Sequence, residues 1–327
     1  MFKHFVTTSI LAASLAAGTV FAADKIVLRT CNTQPASHPW NVAINKLNEI
    51  IQKNSNGRIE IVPAYSSSLG TEPELVESVR QGTLGFVVAD PTVGTTFCKE
   101  LELTSLPFLF RDTQHWKAVL DGPVGKKYAE LVEQKCGLRV MAYWGGIPRE
   151  VLSVKKEVKS LDDLKNFKMR LAASELKFKV WEALGALPIS VAYPEIYSAL
   201  VSGLVDGMEN EMTSLVASKF YEPAKNMTML AHEITVRPLF MNPKWLDGLA
   251  PEDKAAIEKS IAEATPISRQ LEQDGSDKAL AEMRDKFKVK VIEIDKTPFY
   301  EKLAPVYKQY GDSTGLTQMI NDIQATK

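Results

Sequence analysis

Few residues of this 327-residue chain stand where their type could do chemistry, and the foremost is Arg170. It lies inside an otherwise apolar run, Phe167-Lys168-Met169-Arg170-Leu171. An arginine there must be paired or face a polar cavity, because burying the charge alone is too costly. Its planar fork matches a carboxylate bidentately. From the residues alone, its partner is either an internal Asp or Glu or a bound anion. Arg149 follows Trp144-Gly145-Gly146-Ile147-Pro148, where the chain crosses from one half to the other, and reads as a solvated loop charge or a second anion contact. Asn210 ends Asp206-Gly207-Met208-Glu209-Asn210, a segment with the composition of a turn.

Catalytic and cofactor motifs are mostly absent. The four histidines, His4, His38, His115 and His232, are far apart and form neither H-E-x-x-H nor H-x-H. There is no G-x-S-x-G elbow and no G-x-G-x-x-G after a strand. Gly122-Pro123-Val124-Gly125-Lys126-Lys127 is too short for a Walker A loop and lacks its Ser/Thr, so it reads as a helix start. The acidic pairs Asp162-Asp163 and Glu72/Glu74 read as helix-start charges favoured by the macrodipole. Cys31, Cys98 and Cys136 lack CxxC spacing, and their odd number allows at most one internal bridge, with all three pairings open. No cofactor and no metal are expected.

The elements that must position these residues alternate between strands and helices. Ile26-Val27-Leu28 is a strand, residues 39–54 a helix, Arg58 to Val62 an alternating strand, residues 72–81 a helix, and Phe86-Val87-Val88-Ala89 an apolar strand covered on both faces. This order implies a parallel sheet with helices on its faces. The pattern repeats with Val151-Leu152-Ser153-Val154, a short helix opened by a Ser160/Asp163 capping box, the Arg170 strand, a helix over 175–184, a strand over 188–191 and a helix over 194–202. Residues 251–287 form a long helical stretch interrupted only by Pro266 and Gly275. Two α/β lobes without a flexible linker imply a cleft, where small ligands usually bind.

Composition agrees. The chain is 45% hydrophobic and 24% charged, with a net charge of -1, which excludes a basic nucleic-acid surface and an acidic disordered chain. Its length suits roughly two domains of about 150 residues. Residues 1–22 read as a secretory signal: Lys3 gives the positive start, residues 5–20 are apolar and Ala-rich, and Val20-Phe21-Ala22 offers a cleavage site. No later segment is long and apolar enough to span a bilayer, and no Cys follows the cleavage site to carry a lipid.

Lys168-Met169-Arg170, followed by Tyr197-Ser198-Ala199-Leu200-Val201-Ser202-Gly203-Leu204-Val205-Asp206-Gly207-Met208-Glu209-Asn210, resembles the signature of TRAP-transporter solute-binding proteins of the DctP type. Gly57-Arg58-Ile59, Ser68-Leu69-Gly70, Val79-Arg80-Gln81-Gly82, Leu106-Pro107-Phe108 and Lys219-Phe220-Tyr221-Glu222 agree in order along the mature chain. Glu211 departs from the pattern, which often has Pro there.

The resemblance implies an α/β, two-lobed periplasmic binding protein with a cleft, hinge strands and a long lobe-spanning helix. Lobe I would comprise residues 23–147 and about 236–275, and lobe II residues 148–235 and about 276–327. It implies a monomer that captures a small organic acid, such as a C4-dicarboxylate or sugar acid, in the periplasm and delivers it to a membrane permease driven by an ion gradient. Arg170 would bridge the ligand carboxylate, Arg149 assist and Asn210 hydrogen-bond the ligand. Glu72 and Asp90 would meet its polar groups, and Trp144, Tyr65 and Tyr193 line the pocket. Two other classes are a partner of a membrane receptor that senses the ligand, and an exported α/β hydrolase, which would need a nucleophile–base pair that the sequence does not offer.

Overall fold

The computed structural model describes residues 25–327, and the signal expected over residues 1–22 lies outside the described residues. One mixed sheet runs through the molecule. Its strands are β1 (Ile26–Cys31), β2 (Ile59–Ala64), β3 (Phe86–Val88), β4 (Arg139–Ser153), β5 (Lys168–Leu171), β6 (Leu187–Ser190), β7 (Gly207–Glu211), β8 (Asn226–Met241) and β9 (Lys290–Ile292). They lie in the order β2-β1-β3-β8-β4-β7-β5-β6, with β9 beside β8. Helices α1 (Pro39–Asn54), α2 (Glu72–Arg80), α3 (Thr113–Leu120) and α4 (Pro123–Cys136) follow the first strands, and α5 (Glu175–Ala183), α6 (Ile196–Ser202) and α7 (Met212–Ala217) the middle ones. The chain ends with α8 (Pro243–Asp247), α9 (Pro251–Ala281), α10 (Thr297–Thr314) and α11 (Thr317–Ala325).

The two lobes arise from where the short strands attach to the long pair β4 and β8. β3 joins β8 at Leu239, Phe240 and Met241, carrying parallel β1 and β2 with it. At the other end, β7 joins β4 between Arg149 and Ser153, carrying parallel β5 and β6, while β9 joins β8 at residues 226–228. β4 has 15 residues and β8 has 16, so each spans ~50 Å and reaches both ends. Their antiparallel register shifts three times, between Val140 and Ala142, Gly145 and Pro148, and Arg149 and Val151. The expected strand at 151–154 is therefore only the last part of β4.

Local chemistry explains the helices. α1 begins with Pro39, is capped by His38, and buries Trp40, Ala43, Ile44, Leu47 and Ile51 at helical spacing. α2 opens with a Thr71/Glu74 capping box, and a second box at Ser160/Asp163 opens a short 3-10 turn, as expected. α9 is unbroken for 31 residues (~46 Å), with Pro266 inside it. It packs along α1, from Asn54 beside Ser260 to Pro39 beside Gly275, and meets α7 at Glu272 and Gly275. Gly275 permits that passage: a Cβ there would lie 3.0 Å from Pro39 Cγ and 3.1 Å from Thr213 Cγ2.

Candidate functional site

The carboxyl ends of the parallel strands of both lobes converge on one cavity of about 290 Å³. This is where ligands bind in open α/β sheets. Glu72 enters from the start of α2, Asp90 from just beyond β3, Arg170 from β5, Tyr193 from the segment after β6, and Asn210 from β7; Arg149 reaches it from β4. Six of the eight sequence-selected residues thus share one wall-to-wall space.

Trp144 and Tyr65 do not line it. Trp144 is wholly buried in the core formed by Ile44, Leu47, Leu239 and Ile257, its indole donating to Thr265 Oγ1 at 3.3 Å. Tyr65 lies beyond β2 and donates to Asn45 Oδ1 at 3.3 Å. Of the turn expected at Asp206 to Asn210, all but Asp206 lies in β7, an interior strand between β4 and β5. Gly207 serves close packing there rather than a turn, since a Cβ would fall 2.5 Å from Leu152 O and 2.7 Å from Phe167 Cζ.

Arg149 is no solvated loop charge. It is 4% exposed on β4, donates to both carboxylate oxygens of Glu209, and reaches Glu211 at 3.0 Å. Arg237 meets Glu211 at 3.2 Å and Asp90 at 2.9 Å; Lys177 meets Asp90 at 3.2 Å and Glu233 at 3.4 Å. Burial would raise the carboxyls of Asp90, Glu209 and Glu211, but these cations outweigh it and hold all three below the usual range. Sequence reading missed Lys177, Arg237 and the structural part of Glu209. Arg237 carried the same signal as Arg170, a lone cation inside an apolar strand.

Arg170 differs from the other three cations. Its Nε and Nη2 both donate to Val191 O, at 2.9 and 2.6 Å. Among the described residues no carboxylate lies within ion-pair distance of it, and Nη1 has no hydrogen-bond partner. Burial lowers its pKa to about 10, opposed chiefly by Glu209, so it stays charged at neutral pH. Glu72 is the cavity carboxyl without an ion pair; it accepts from the Asp90 amide at 3.0 Å, and burial raises its pKa to about 7.

Behind the cavity, His38, Ser214 and Glu272 imitate a hydrolytic triad, with Ser214 Oγ 3.3 Å from His38 Nε2 and Glu272 Oε1 3.9 Å from His38 Nδ1. The hydrogen bonds assign different roles. The Trp40 amide donates to Nδ1 at 3.2 Å, which places the proton on Nε2, facing Ser214. The Ser214 hydroxyl donates to Glu211 Oε1 at 2.7 Å. Burial lowers the His38 pKa to about 3. His38 therefore does not face Ser214 as a base: the buried hydrogen bonds run from the Trp40 amide to His38, from His38 to Ser214 and from Ser214 to Glu211, and Glu272 Oε1 takes no part in them.

Two α/β lobes joined by crossing strands around a cavity with one uncommitted arginine define a two-lobed solute-binding protein. Residues 31–313 match the DctP family of bacterial extracellular solute-binding proteins, family 7. A solute-binding protein of Sulfitobacter sp. strain NAS-14.1 is 30% identical, over 98% of this chain and 98% of its own. A TRAP periplasmic solute-binding protein from Roseobacter denitrificans, solved with bound β-D-glucuronate, superposes with a TM-score of 0.88 at 28% identity, covering 92% of this chain and 100% of that one. One from Xanthobacter autotrophicus, with bound β-D-galacturonate, gives 0.87 at 31% identity, again covering 92% and 100%. The chain belongs to the DctP family of TRAP solute-binding proteins.

Proposed function

We propose that this protein captures a small organic acid, of the sugar-acid type held by its structural neighbours, in the periplasm and hands it to a membrane permease. The observation that carries the reading is Arg170: a buried, charged guanidinium, anchored on Val191 O, with no carboxylate among the described residues within ion-pair distance. The ligand carboxylate takes that place. Glu72 and Asn210 then meet hydroxyl groups, and Arg149 keeps Glu209 and Glu211 in position rather than binding the acid itself.

The lobes, divided near residues 147 and 235, close over the acid. Contacts between them support this: Gln34 Nε2 donates to Tyr193 OH at 3.0 Å, Lys177 pairs with Asp90 at 3.2 Å, and Ser174 donates to Glu102 at 2.6 Å. Closure excludes water and strengthens the Arg170 ion pair. The acid favours the closed form only by binding it better than the open one, and the closed surface is what the permease reads. A thermal-shift screen against an organic-acid library tests the assignment. A ligand at 100 times its Kd stabilises by about 2.7 kcal/mol, and a library in which no acid moves the transition would refute it.

A further inference from the structure

The charges facing the cavity pair off almost completely. Glu211, wholly buried, lies between Arg149 at 3.0 Å and Arg237 at 3.2 Å. Asp90 shares Arg237 and Lys177, and Glu209 takes the other side of Arg149. Arg170 and Glu72 are left, among the described lining residues, as the cation and the carboxyl without an ion-pair partner. We infer that Glu211 restricts the cavity to singly charged acids: by occupying Arg149 and Arg237 together, it leaves one cation for one carboxylate and opposes a second with its own charge. This rests on the organic-acid reading above and narrows it to monocarboxylates with hydroxylated remainders, excluding dicarboxylates.

The physical argument is one of pairing. A monocarboxylate completes the count at Arg170, and its hydroxyls find an acceptor in Glu72. A dicarboxylate brings a second anion into a space where every other cation already holds a carboxylate. Like charges brought together across a desolvated boundary are strongly disfavoured. Replacing Glu211 with Gln keeps the volume and the hydrogen-bonding oxygen but removes one negative charge. Arg149 then retains Glu209 and Arg237 retains Asp90, and the positive charge that Glu211 had neutralised is left to attract a second carboxylate.

The test is calorimetry with acids matched in skeleton and differing in charge: D-glucuronate against D-glucarate, and L-threonate against L-tartrate. Wild type is expected to bind the monoacid of at least one pair about 100-fold or more tighter than its diacid, and Glu211→Gln to cut that ratio by about 10-fold or more. A diacid bound by wild type as tightly as its monoacid overturns the inference while leaving the organic-acid reading intact. So does an unchanged ratio in a Glu211→Gln protein with wild-type near-UV circular dichroism. Should that variant not fold, the wild-type ratio decides alone. If neither these four acids nor any acid of the library screen binds wild type, the organic-acid reading fails, and the inference falls with it.

Discussion

The carbonyl oxygen of Val191 accepts two hydrogen bonds from the guanidinium of Arg170, one from Nε and one from Nη2. Parallel pairing of β5 with β6 sets Arg170 opposite Ile189 and Leu171 opposite Ser190, which brings Val191 to the edge of the fork. The remaining edge is turned to the cavity. Arg170→Ala is expected to raise the ligand Kd by at least about 100-fold, since charged hydrogen bonds contribute about 1.5–3 kcal/mol each. Arg170→Lys is expected to bind nearly as poorly, because an ammonium cannot hold Val191 O and a carboxylate in one plane. Calorimetry on both variants checks this, with circular dichroism to show that they fold.

The Tyr193 hydroxyl takes part in hydrogen bonds with Gln34 at 3.0 Å and Ser218 at 2.9 Å, the first of them between lobes in the division proposed above. In the proposed closure the lobes separate between Gln34 and Tyr193, so Tyr193→Phe removes the first of these from the closed form alone. One lost hydrogen bond is about 1 kcal/mol, so affinity is expected to fall roughly 5-fold. Small-angle scattering of the unliganded variant is expected to show a larger radius of gyration than wild type. An unchanged radius and affinity would remove Tyr193 from the closure contacts.

The pH dependence of stability carries a signature of Glu72. Burial raises its pKa from 4.5 to about 7. A raised acid is protonated in the fold where the unfolded chain has already lost its proton. Its contribution is present below pH 4.5 and is lost as pH rises through 7. Glu72→Gln abolishes that titration, so its stability relative to wild type is expected to rise across this window by about 1–2 kcal/mol, discounted for partial access from the cavity. His38, with a pKa lowered to about 3, slopes the other way, which is why the variant-minus-wild-type difference is the quantity to measure by urea unfolding.

Of the three cysteine pairings, the structure joins Cys98 to Cys136, with Cα atoms 5.3 Å apart and a sequence separation of 38. Cys31 is the free, buried thiol. A loop of that length constrains the unfolded chain by about 3–4 kcal/mol in the entropic account. Cys98→Ala with Cys136→Ala is expected to lose about 2–4 kcal/mol by denaturant titration. Thiol labelling of the wild type should find one cysteine, and only after unfolding.

Short elements were legible because their signals are local. The Pro39 start, the Ser160/Asp163 box and the apolar spacing of α1 all lie within a few residues of what they specify. Arg170 was legible because a lone cation in an apolar strand has few explanations. The long strands were not, because Gly145, Gly146, Pro148 and Pro238 punctuate them and three register shifts break their alternation. Lys177 looked like any helix charge, since its partner Asp90 is 87 residues away. Arg149 looked solvated for the same reason: Glu209 and Glu211 lie 60 and 62 positions further along the chain. Trp144 was placed at the pocket for its ring, but it stands on β4 where helices α1 and α9 cover the sheet.

The late position of β8 orders the protein's assembly in time. The first three strands present β3 as an open edge until residues 239–241 arrive to cover it. The second lobe's β7 needs β4, and β4 in turn has β8 as its other neighbour. About three-quarters of the chain must therefore emerge from the ribosome before either half of the sheet can finish, and pairings this distant in sequence form slowly. A chain built this way remains threadable through most of its synthesis, and truncation before residue 241 should leave no independently folded half.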